Sequence, residues 1–168
     1  TVGSFWECNL TLTDPVPPFD FFDGQNPVYT HARYLPPAKL NGARSARVLM
    51  ADGAIVDDSE LNRCVIGVRS VIRGGSRLEN VVMMGADAFE RPHDLARNHS
   101  LGRPDIGVGP NCLIRNAIID KNARIGAGSR LAPTGLPEKW ETEALFVRDG
   151  VIVVKKGAIV PPGTVVGE

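Results

Sequence analysis

Large aliphatic residues recur along this chain at a fixed interval. They stand at Leu49, Ile55, Leu61, Ile66, Ile72, Leu78 and Met84, six residues apart except for one step of five. The run resumes at Val108, Ile114, Ile119, Ile125 and Leu131, and its five-residue step from Ile114 to Ile119 copies the step from Leu61 to Ile66. A third stretch supplies Val153, Ile159 and Val165. Two positions before most of them sits a small residue: Gly53, Ser59, Cys64, Ser70, Ser76, Cys112, Ala117, Ala123, Ser129, Gly157 and Gly163.

An α-helix repeats every ~3.6 residues and a strand every ~2, and neither needs a small residue at a fixed offset. A hexapeptide period fits a parallel β-helix, in which each short strand is one side of a triangular coil of about 18 residues. The aliphatic residue then points into the shared interior and the small residue lets the backbone turn the corner. The expected fold is mainly β: a single-stranded, left-handed parallel β-helix of hexapeptide repeats. The hand is expected from the known habit of such helices, since spacing does not set it. Residues 49–84, 106–131 and 151–166 would supply roughly four to five coils.

Two stretches break the period. Residues 86–105, ADAFERPHDLARNHSLGRPD, bring charge, proline and a short helix-compatible run, and residues 132–150, APTGLPEKWETEALFVRDG, form a second interruption. Both are expected as excursions outside the coils, serving as a cap, a subunit contact or a functional loop. Residues 14–39 join prolines with Phe19, Phe21, Phe22, Tyr29 and Tyr34, a composition that suits an extended linker packed against something. Residues 1–12, with Phe5, Trp6, Leu10 and Leu12, predict a short helix, and a chain opening on such a helix is expected to be a piece of a longer one.

Composition narrows the function classes. The 19 Lys+Arg balance the 19 Asp+Glu, which argues against a nucleic-acid or polybasic membrane binder. With 43% hydrophobic and 23% charged residues the chain can bury one sizeable core, and 18 Gly with 13 Pro mean many turns and few long helices. Cys8, Cys64 and Cys112 form no CxxC pair, so reduced, packed thiols are expected rather than disulfides or zinc. The sequence shows neither a signal peptide nor a long uncharged run, and the expected compartment is cytoplasmic.

Several words are more specific than the period. Ser4-Phe5-Trp6-Glu7, Tyr34-Leu35-Pro36-Pro37-Ala38-Lys39, Gly67-Val68-Arg69-Ser70, Met83-Met84-Gly85-Ala86-Asp87, Gly107-Val108-Gly109 and above all Ile118-Ile119-Asp120-Lys121-Asn122-Ala123-Arg124-Ile125-Gly126 occur here in order. In these words the chain resembles the C-terminal part of the ADP-glucose pyrophosphorylase (glucose-1-phosphate adenylyltransferase) family. The resemblance implies a bacterial cytoplasmic or plant plastid enzyme of glycogen or starch synthesis, which makes ADP-glucose and pyrophosphate from ATP and glucose 1-phosphate with Mg²⁺. It also implies that residues 1–39 are the end of a catalytic domain and an interdomain linker. Residues 40–168 would then be the β-helix domain, with excursions at 86–105 and 132–150. The catalytic and metal-binding residues would lie in the preceding domain. No phosphate loop or carboxylate cluster suited to Mg²⁺ is seen here, so this chain is expected to hold no cofactor and to be inactive alone.

The resemblance further implies a homo- or hetero-tetramer, contacts to the chain's own catalytic domain, and control by a phosphorylated small-molecule effector. Two effector-contacting lysines of the family match Lys121 and Lys156, and the pre-coil segment adds Arg33. His31 stands where relatives carry Gln and joins the candidate set. Lysine offers a point charge with three donors and arginine a planar fork, and both suit phosphate. Lys155, on the opposite side of a strand from Lys156, is not a candidate.

Rival readings come from other classes. A hexapeptide acyltransferase would use a loop histidine such as His93 or His99, oriented by Asp94 or Glu90. A trimeric metal enzyme would draw on His31, His93 and His99. A purely structural assembly module would bind no anion at all.

Overall fold

The computed structural model describes residues 1–167. Helix α1 (Val2–Thr11) is followed by an irregular stretch over 12–38, and the chain then winds through β1 (Lys39–Asn41), β2 (Arg44–Met50), β3 (Ile55–Asp57), β4 (Glu60–Ile66), β5 (Val71–Ile72) and β6 (Arg77–Met83). Helix α2 (Pro92–Ser100) interrupts the winding before β7 (Gly107–Val108), β8 (Leu113–Ile119), β9 (Arg124–Ile125) and β10 (Arg130–Leu131). Last come β11 (Leu145–Arg148), β12 (Val151–Val154), β13 (Ile159–Val160) and β14 (Val165–Val166).

Parallel registers stack these strands into three faces. The first is β1, β3, β5, β7, β9 and β13, in that order. Strands β2, β4, β6 and β8 each bend over a corner, because their middle residues Arg47, Arg63, Asn80 and Asn116 sit at φ of 56°, 52°, 54° and 48°. Their first halves build the second face, continued by β10 and β14, and their second halves build the third, continued by β12. The architecture is a left-handed parallel β-helix, as the hexapeptide period leads one to expect. The corner residues explain the five-residue steps. One left-handed residue turns the chain where other corners use a longer loop, and Asn tolerates that conformation better than most side chains.

Leu61, Ile66, Ile72, Leu78, Val108, Ile114, Ile119, Ile125 and Leu131 fill the interior, each at most 2% exposed. Elsewhere the expected register is off by one residue. Val56, Met83, Val154 and Val160 face the core in place of Ile55, Met84, Val153 and Ile159, and Val166 packs on the core while Val165 is 62% exposed. Leu49 is likewise flanked by Val48 and Met50, which are the residues packed inward. A one-residue slip moves a strand side chain to the opposite face, and pairs such as Ile55-Val56 or Met83-Met84 offer an aliphatic residue at both positions. Leu78 to Met83 is thus another five-residue step, turned at Asn80.

The small residues at the corners are buried and hydrogen-bonded. Ser70, Ser76 and Ser129 donate their hydroxyls to the carbonyls of Gly67, Gly109 and Gly126 at 2.7, 2.8 and 2.7 Å. Backbone acceptors that would otherwise be buried without a partner are satisfied in this way. Burial pushes the Cys64 thiol up to about 11 and raises that of Cys112 as well, which keeps both protonated.

The outer surface is partly apolar too. Val65, Val82, Ile118 and Val153 stand in register on the third face, on the side away from the core, and α1 covers this stripe with Leu10, Trp6 and Val2. Trp6 Nε1 donates to the Asn80 carbonyl at 2.9 Å, and Arg63 pairs with Glu7 at 2.6 Å. Helix α1 therefore packs directly on the outer side of the third face.

Both interruptions return to the coils. Helix α2 projects from the corner between the third and first faces. The stretch 132–150, expected to stay outside the coils, does so only in its first part: β11 pairs antiparallel with β12, and Leu145 and Val147 join the core at 3% and 1% exposure. The hairpin covers the free edge of β12, whose parallel ladder would otherwise end unpaired.

Candidate anion site

The corners between the third and first faces stack into a ridge. Its rungs are backbone hydrogen bonds: Arg69 N–H to the Asp52 carbonyl (3.3 Å), Ala86 N–H to Val68 (2.9 Å), Asn122 N–H to Gly85 (3.1 Å) and Gly157 N–H to Lys121 (2.9 Å). Gly85 is required there. At φ 88° a side chain is strained, and a Cβ would lie 2.1 Å from the Val68 carbonyl oxygen.

The ridge brings Lys121 and Lys156 together on neighbouring corners. The Lys121 backbone N–H is held by Asp120 Oδ1 at 2.6 Å, and its ammonium reaches Asp87 Oδ1 at 3.0 Å. Asn122, at φ 60°, clamps the same aspartate from both ends: its Nδ2 donates to Asp87 Oδ2 at 2.8 Å, and its Oδ1 accepts the Asp87 N–H at 2.9 Å. The hydrogen bond from Asn122 and then that from Lys121 hold the Asp87 carboxyl below its usual range, and the Lys156 charge acts in the same direction. Lys156 is exposed at the rim of an open hollow of about 450 Å³, which Glu143, Ala144 and Lys155 also line. Lys155 lines the same hollow, but its ammonium is bound to Glu141 Oε1 at 2.9 Å and to the Thr142 carbonyl at 2.8 Å.

Arg33 and His31 are exposed in the irregular stretch, where the Arg33 guanidinium donates to the His31 carbonyl at 3.5 Å. Their segment joins the ridge near its other end, where Gly53 N–H donates to the Pro36 carbonyl at 2.7 Å. The structure does not bring either residue to Lys121 or Lys156. Conversely, Asp87 and Asn122 are site residues that residue type alone does not single out. The signal was present, since Asp87 ends the word Met83 to Asp87 and Asn122 lies inside the word Ile118 to Gly126.

The loop histidines sit elsewhere. His93 Nε2 lies 3.3 Å from Asp94 Oδ1 with its side chain 71% exposed, while Asp94 Oδ2 caps α2 by accepting the Arg91 N–H at 2.9 Å. His99 borders a hollow of about 300 Å³ with Arg73, Arg103 and Asp105. Glu90 orients no histidine. It is buried against Arg124, Asn98 and the Ile106 N–H at 2.8, 2.7 and 2.7 Å. Among the described residues no group of three or more His, Cys, Asp or Glu is placed to hold a metal ion, and no helix is long and apolar enough to cross a membrane.

A family model described as the GLGC left-handed parallel beta-helix domain matches residues 33–165. The matched span contains every strand through β13, both interruptions and the whole ridge from Gly53 to Gly157. The coil geometry, the specific words at its corners and this match agree, and the chain belongs to the family of GLGC left-handed parallel β-helix domains, the β-helix region of ADP-glucose pyrophosphorylase.

Proposed function

We propose that this chain is the C-terminal regulatory and oligomerisation region of a glucose-1-phosphate adenylyltransferase, and that Lys121 and Lys156 hold a phosphorylated effector of that enzyme. One observation carries the reading: Gly157 N–H donates to the Lys121 carbonyl, so that lysines from two separate coils stand on adjacent corners, and one of them, Lys121, already binds an anionic group, Asp87. Stacked backbone holds the two lysines on adjacent corners, and their flexible stems let both ammonium groups turn to a second anion. Arg33, and His31 beside it, reach such a ligand only if the linker moves.

Tetramer formation, a bacterial cytoplasmic or plastid location and glycogen or starch synthesis belong to the same proposal. ATP, glucose 1-phosphate and Mg²⁺ are assigned to the preceding catalytic domain. Mg²⁺ takes carboxylates and substrate phosphates in near-octahedral array, and on this reading it sits with the nucleotide in that domain. The chain by itself should therefore form no ADP-glucose from ATP and glucose 1-phosphate, since nothing in it aligns the two substrates. A coupled pyrophosphate assay giving turnover above a protein-free control would refute this.

The decisive experiment is an effector titration of the full-length enzyme. Lys121→Ala and Lys156→Ala should each raise the half-saturating effector concentration roughly 10-fold, the lower end of what a charge-assisted hydrogen bond contributes, because both ammonium groups are solvated. Activity without effector should change little, and Lys155→Ala should behave as the parent. Parental responses from all three variants would leave the purely structural module as the better reading.

A further inference from the structure

We infer that Asp87 is a built-in counter-ion that competes with the bound anion for the Lys121 ammonium, so that this carboxylate sets how tightly the site takes a phosphoryl group. The inference rests on the reading of the two lysines as an anion site.

The geometry is that of a competitor held in place. Both carboxylate oxygens are engaged, Oδ1 by the Lys121 ammonium at 3.0 Å and Oδ2 by Asn122 Nδ2 at 2.8 Å, while the Asp87 N–H is tied to Asn122 Oδ1 at 2.9 Å. Asn122 is anchored in turn by its own N–H on the Gly85 carbonyl. The aspartate cannot easily swing out, whereas lysine rides on a flexible four-carbon stem and carries three donors. The partner that moves is Lys121. An arriving phosphoryl group draws its ammonium off Asp87, while Lys156, free of any ion pair or side-chain hydrogen bond among the described residues, supplies the second charge.

The Lys121 and Asp87 side chains are 41% and 53% exposed, so their pair is solvent-screened and exchangeable. What remains after the exchange is a carboxylate beside a phosphate dianion, a like-charge contact that opposes binding. The opposite assignment, in which Asp87 merely orients Lys121, predicts the opposite sign: deleting the charge would let the lysine wander and weaken binding.

The test is a ³¹P NMR titration of the chain with inorganic phosphate at low ionic strength, run on the parent, Asp87→Asn, Asp87→Ala, Lys121→Ala and Lys156→Ala. Thermal melts confirm that each variant is folded. Both Asp87 variants should bind phosphate roughly 3- to 10-fold more tightly than the parent, and the gain should shrink as sodium chloride approaches about 0.5 M. Both lysine variants should bind more weakly. If the lysine variants weaken binding and the folded Asp87 variants are equal to or weaker than the parent, the competitor assignment is overturned and the anion site stands. If neither lysine variant changes phosphate binding, the anion site itself is refuted and the competitor role falls with it.

Discussion

An Ile72→Asp variant should lose the cooperative melting transition of the β-helix. Ile72 is fully buried on the first face, in register between Val56 and Val108 on the coils above and below. Withdrawing the isoleucine gives up about 1.5–3 kcal/mol of burial. The new carboxylate does more damage: it meets no cation or donor in that interior and costs several kcal/mol further even if it takes up a proton. A domain stabilised by only ~5–15 kcal/mol cannot absorb that, and each coil relies on its neighbours for its other contacts. Ile159→Asp, on the outer side of the same face at 45% exposure, should stay within about 1 kcal/mol of the parent. Circular dichroism melts of the pair test the register directly. Unchanged melting of Ile72→Asp would defeat the inward assignment.

Arg124→Ala should release the α2 excursion from the coils. Arg124 and Glu90 pair at 2.8 Å with side chains 14% and 10% exposed, and the same guanidinium donates to the Pro104 carbonyl at 2.9 Å. Removing one partner of a buried pair costs about 3–5 kcal/mol because the other charge is left behind. The loss should appear as faster amide exchange and protease cleavage across 88–106, with the remaining coils still protected.

The pH dependence gives a second reading of the same contact. Burial pushes the Glu90 carboxyl up, yet the bonds from Asn98, the Ile106 N–H and Arg124 outweigh it and leave it below its usual value. A carboxylate with a depressed native pKa contributes stability above its unfolded pKa, about 4.3, and that stability is lost as pH falls through the native value. In the parent the excursion should loosen only in acid, below the ordinary carboxylate range. Without Arg124 the effect of burial gains ground, so loosening should begin at higher pH. An identical acid profile in the two proteins would exclude Glu90 as the anchor.

The coil itself was legible in the chain because its determinants are local and repeated. A steric demand for a small residue at each corner and an apolar demand two positions later recur every few residues, so Leu61 to Leu78 and Val108 to Leu131 declare the interior without reference to anything distant. The two lysines became candidates for another reason: the family resemblance singles them out, Lys121 inside one of its specific words, and residue type alone would have left them as surface cations.

Tertiary structure decided what depends on which coil lies next to which. Paired aliphatics such as Val153-Val154 satisfy the pattern in either register, and only stacking against Ile118-Ile119 turns Val154 inward and leaves Val153 for α1. The candidate anion site needs the same stacking. Asp87 and Lys121 are separated by 34 positions, and the excursion between them hides their proximity until adjacent corners are laid on one ridge. Periodicity reports which side of a strand a residue occupies; the winding of the coils determines which charges meet across them, because each contact joins residues a full turn or more apart.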